Sequence, residues 1–91
     1  MSEDKSFKKV GKYLRQRRVD MGFTQQEVAS FLDYTTSQFI SNWERGEALP
    51  PKSCLKKLVK LYSLDSKEFV NIMLEHHKIE LNKALNISTK E

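Results

Sequence analysis

The sequence predicts one all-α domain of five helices, and three observations predict it. Apolar residues recur at helical spacing along most of the 91 residues. Two Thr/Asp-x-x-Glu capping signals and well-placed Gly and Pro residues divide that pattern into short segments. No strand-like alternation, repeat or low-complexity tract interrupts it.

The first helix is expected over Ser6–Met21. Phe7, Val10, Leu14 and Met21 form its inward stripe, and the stem of Arg17 or Arg18 fills the gap. Gly22 stands where a left-handed C-terminal cap is wanted, with Phe23 making the accompanying apolar contact. Thr24 and Glu27 form a capping box that starts the second helix, Gln25–Leu32, with Val28, Ala29 and Leu32 inward. Asp33–Thr36 reads as a turn, in which Thr35 or Thr36 can cap a third helix over Ser37–Arg45, stopped by Gly46.

The next segment, 46–51, is a loop because Pro50 forbids helix there, whereas Pro51 suits a first helical turn. The fourth helix turns Leu55, Leu58, Val59 and Tyr62 inward. Asp65-x-x-Glu68 opens a fifth helix that runs to about Leu85, with Phe69, Ile72, Met73 and His76 inward. The expected organisation is a disordered N-terminus (1–5), a folded domain (6–75), and a helical extension with a frayed tail from Asn86 (76–91).

Composition narrows the function classes. Hydrophobic residues make up 38% and charged residues 31% of the chain, too apolar for disorder and too polar for a membrane protein. No apolar run spans a bilayer and the first ten residues lack a secretory signal's apolar stretch, so a cytoplasmic location is expected. The lone Cys54 reads as a small buried filler. His76 and His77 are adjacent and point to different sides of a helix, a poor metal pair. No nucleophile–base set, paired acids or glycine-rich phosphate loop appears, so neither catalysis nor any cofactor, metal or small-molecule substrate is expected.

Net charge is +4, unevenly spread: residues 1–23 carry seven basic and three acidic side chains, 24–46 one and three, 47–64 four and one, 65–91 four and five. Two basic segments thus flank a slightly acidic middle, either as an ordinary solvated face or as a footprint for phosphates.

Small Ala29 in the second helix and branched Ile40 in the third allow the two to cross closely at a steep angle. The stretch TQQEVASFLDYTTSQFISNWERGEALP, with LRQRR before it and a Pro after it, resembles the phage-repressor/Cro (XRE-like) helix-turn-helix family. The resemblance covers about residues 7–75 and implies a lambda-repressor-like fold, here with an extended C-terminal helix. It departs in two places: Asp33 replaces the usual turn Gly, and one extra residue separates Ala29 from Ile40.

What the resemblance implies is a sequence-specific transcriptional regulator, a repressor, binding double-stranded DNA as a homodimer with the third helix in the major groove. With the extra residue placed in the turn, its carried-over base readers are Ser37, Gln38 and Asn42, with Thr36 as cap. The residues agree, because Ser37, Gln38, Ser41 and Asn42 supply hydroxyls and amides that suit base edges. Phe39 is either a thymine-methyl contact or packing in the turn. Phosphate candidates are Thr24 and Gln25 at a helix N-terminus, then Arg45, Lys12 and Arg15, with Lys52 and Lys56 beyond the loop.

Trp43 reads as a core plug and not a stacking platform. Arg18 and Glu44 match a family ion pair between the first and third helices. Leu74, Leu81 and Leu85, interrupted by Lys78, form a second apolar line that either meets a partner or packs on the first helix. The competing function is a protein-interaction or antitoxin-like module that keeps the fold.

Overall fold

A computed structural model describes residues 5–86. Within them lie five helices and no strand: α1 (Lys5–Asp20), α2 (Gln25–Phe31), α3 (Gln38–Glu44), α4 (Lys52–Leu61) and α5 (Ser66–Ala84). The expected disordered N-terminus and frayed tail fall mostly on residues 1–4 and 87–91, which lie outside the described residues, as does the side chain of Phe7.

Three of the helix ends have a local chemical cause. Gly22 takes φ +80° after α1. Phe23 N–H donates to the Arg18 carbonyl at 3.1 Å and Gly22 N–H to that of Val19 at 3.0 Å, the paired closure of a left-handed cap. Met21 is consequently outside α1 and exposed, contrary to its expected place on the inward stripe, while Phe23 turns back onto the core. The Thr24–Glu27 capping box forms in full. At α5 only half of the expected box forms. Asp65 accepts from the N–H groups of Lys67 and Glu68, and the Glu68 carboxylate faces the Tyr13 hydroxyl at 3.4 Å instead.

The core joins all five helices: Val10, Leu14, Val28, Ile40, Trp43, Leu58, Tyr62 and Phe69 are buried, and Cys54 with them. Trp43 is a core plug, as its spacing from Ile40 predicts. Helix α1 is the hub, packed against both α3 and α5. Leu64, just after α4, is buried although no periodic pattern marks it. Arg17 lies across the end of α4 and donates to the Tyr62 carbonyl at 3.0 Å. Burial, then the nearby Glu44 carboxylate, raises the pKa of the Tyr62 phenol. Among the described residues no helix is long and apolar enough to cross a membrane.

Candidate nucleic-acid interface

Two helices of seven residues each are too short to stand alone in water, so their placement is set by packing and by the turn between them. Ala29, wholly buried, leaves room for Ile40. The turn closes through Tyr34 N–H to the Ala29 carbonyl at 2.9 Å and Asp33 N–H to that of Ser30 at 3.1 Å. Asp33 sits at φ +68°, the left-handed position that glycine would otherwise fill and that Asp tolerates.

The longer turn is used for packing. The Tyr34 ring lies 4.6 Å from that of Phe39 and meets Trp43 edge-on at 6.1 Å. The Tyr34 hydroxyl approaches Cys54 Sγ at 3.5 Å, tying the turn to α4. That bond, with burial, holds the Tyr34 phenol up at about 12. Phe39 thus packs in the turn while half of its surface stays exposed.

Helix α3 begins one residue later than expected. Ser37 is its N-cap and makes no capping bond with its side chain. The Thr36 hydroxyl accepts from Gln38 N–H at 3.2 Å. Along the outward face, Gln38 donates to Asn42 at 3.0 Å, and Arg45 donates to Asn42 at 2.7 Å and to the Ser41 hydroxyl. Arg45 also pairs with Glu47 at 3.1 Å. This bond and the arginine's charge lower the Glu47 pKa, so the carboxylate is ionised at neutral pH. Four of the sequence candidates, Gln38, Ser41, Asn42 and Arg45, therefore form one connected polar ladder.

The opposite side of α3 is anchored. Arg18 holds Glu44 through two bonds, 2.7 and 3.0 Å, and donates to the Phe23 carbonyl at 2.9 Å. Gln25 adds a third donor to the Glu44 carboxylate at 2.9 Å. The Gln25 amide nitrogen is thus directed at the ion pair, and Thr24 Oγ1 is taken up by Glu27 N–H at 3.0 Å.

Gly11 explains the close crossing of α1 and α3. A Cβ there would stand 2.4 Å from the Trp43 carbonyl oxygen and 2.7 Å from that of Glu44. Gly46, at φ +80°, similarly lies against Lys8. Spacings of three and four place Lys8, Gly11, Arg15 and Arg18 on one stripe of α1. Arg15, exposed, therefore belongs to the stripe facing α3, and Lys12, also exposed, is rotated about 100° from Gly11. Lys52 and Lys56 are exposed on α4.

Sequence reasoning missed Lys8, Glu47 and Lys57, which reaches Asp33 in the turn at 3.6 Å. For Gly11 a signal existed, since a glycine inside a helix costs about 1 kcal/mol relative to alanine and so calls for a packing reason. Among the described residues no group of His, Cys, Asp and Glu could hold a metal ion.

No curated protein and no solved structure matches the chain. The helix-turn-helix domain family matches residues 9–69, which span the α1–α3 crossing, the turn at Asp33 and the ladder on α3. The protein belongs to the helix-turn-helix domain family.

Proposed function

We propose that this chain is a sequence-specific DNA-binding transcriptional regulator of the phage-repressor/Cro (XRE-like) kind, a repressor that lays α3 in the major groove. The observation that carries this reading is the ladder of Gln38, Ser41, Asn42 and Arg45 on the outward face of a helix whose other face is locked to α1 and α2. Gln38 and Asn42 are one turn apart and stacked, so their amides address neighbouring base pairs, with Ser37 and Ser41 beside them. Arg45 reaches backbone phosphate, once Glu47 yields it. Thr36 and Phe39 flank the entry of α3 and are the next contacts to the duplex.

At the N-terminus of α2 the capping box takes up the N–H groups of Thr24 and Glu27, which leaves the backbone N–H of Gln25 for a phosphate beside Thr24, and the α1 bases Lys12 and Arg15 extend that contact. Residues 6–75 are the DNA-binding unit and 76–91 the extension. Leu74, Leu81 and Leu85 are all at least half exposed, which favours a homodimer formed along α5 over packing on α1 and fits a two-half-site operator. Selection of bound sites from random duplex DNA tests the whole reading. An enriched palindrome-like motif is expected, with log affinity falling linearly in log salt at about 0.9 per phosphate contact. No enrichment and a flat salt dependence would reject it.

A further inference from the structure

Away from α3, helices α4 and α5 enclose an open groove of about 620 Å³. Its floor is Leu55, Val59, Phe69 and Met73, and exposed Val70 forms its lip, beside Leu74 of the proposed α5 dimer line. Every titratable side chain lining it is a base: Lys52 and Lys56 on the α4 edge, His76 and His77 on the α5 edge. Glu80, one turn beyond His76, acts on that ring but lines no part of the groove.

We propose that this groove docks an acidic amphipathic helix of a partner protein. Length is the first argument. The α4 wall from Lys52 to Val59 spans seven residue steps, about 10 Å, and the anchors of a docked helix at i, i+4 and i+7 span the same distance. Charge is the second. Lys52 and Lys56 stand exposed one turn apart on the α4 edge, so two carboxylates one turn apart on a docked helix each find a lysine beside the apolar floor. A single-headed amphiphile such as a fatty acid satisfies only one of the two lysines. Duplex DNA could meet the lysines but has nothing to fill the apolar floor.

The proposal does not depend on DNA binding by α3, and its test is separate. The probe is a fluorescein-labelled helical peptide with Leu at i, i+4 and i+7 and Glu on both flanks. It is compared with the same peptide bearing Lys in place of Glu, by anisotropy against the full chain. The acidic peptide should bind at least tenfold tighter than the basic one. The double variant Lys52→Glu/Lys56→Glu should reverse that order, and Val70→Glu should weaken both peptides. All three positions are exposed, so an unchanged melting curve separates loss of binding from loss of fold. Equal binding of both peptides, or none, overturns the proposal. Displacement of the acidic peptide by equimolar dodecanoate overturns it in favour of a small amphiphile. A dimer that Val70→Glu converts to monomer, with no peptide bound, overturns it in favour of a second copy.

Discussion

Two arginine–glutamate pairs meet at the end of α3, through Glu44 and through Arg45 with Glu47, and their surroundings are opposite. Arg18–Glu44 closes at 2.7 Å with side chains 12% and 4% exposed, and Glu44 takes a further bond from Gln25. Arg45–Glu47 closes at 3.1 Å with side chains 49% and 60% exposed. Water screens the second pair and is excluded from the first, so similar distances carry different energies. The buried pair fixes where α3 sits, whereas the exposed one holds Arg45 on the outward face of that helix.

The sharpest way to break this contrast is Glu44→Ala. It strands the Arg18 guanidinium and the Gln25 amide inside the α1–α2–α3 junction, at about 3 kcal/mol. For a domain of this size that lowers Tm by about 12 °C or more. Thermal melting beside Glu47→Ala reads the difference, and the exposed variant should move by less than about 0.5 kcal/mol. Equal shifts would remove the distinction.

For binding, the order reverses. Gln38→Ala or Asn42→Ala should cost about 1–3 kcal/mol on the selected site and relax preference at one position per half-site, with Tm nearly unchanged. Arg45→Ala should weaken all sequences alike and flatten the salt slope by about 0.9. If specific and non-specific binding fall together in Gln38→Ala, the outward face of α3 is not the reader.

Assembly gives a third comparison, read by sedimentation. Leu81→Glu should halve the mass of a wild-type dimer, and a monomeric wild type would leave the α5 line without its partner.

The smallest effect is in pH. Burial pushes the His76 pKa below its ordinary value, partly opposed by Glu80. The folded ring stays neutral where the unfolded one takes up a proton, at about pH 6.5 and below. Its contribution is therefore full above about 6.5 and declines as pH falls from there towards the folded pKa. Tm measured from pH 7 to 5 should drop more steeply in the wild type than in His76→Leu, after allowance for their offset at pH 7.

The elements and most of the core were legible in the chain because they follow from neighbours a few residues apart. Thr24–Glu27, Gly22 and Asp33 each act on backbone within one turn, and all adopt the expected local geometry. The Arg18–Glu44 pair was legible only through the family resemblance, since nothing local joins residues 26 apart. Gln25 shows where such reading stops. As a polar residue at a helix N-terminus it reads as a phosphate contact, but its amide nitrogen finds Glu44, 19 residues on. The misplacement of Met21 has a similar cause: a helical period extrapolated one residue past the cap points outward once the chain reverses at Gly22. The start of α3 shifted because the longer turn seats Tyr34 against Phe39 and Trp43, a packing choice that no spacing rule contains.

Gly11 carries one more consequence. With α1 pressed onto the carbonyls of Trp43 and Glu44 at one end of α3, and the Tyr34 ring wedged under the other, a helix of only seven residues has no freedom to roll or slide on its support. Under the proposed function such a helix behaves as a fixed print head: its register on a duplex would be set by the scaffold, and only the type face would change. Preference for a DNA sequence should then be transferable by exchanging Gln38 and Asn42 alone, without retuning the rest of the chain.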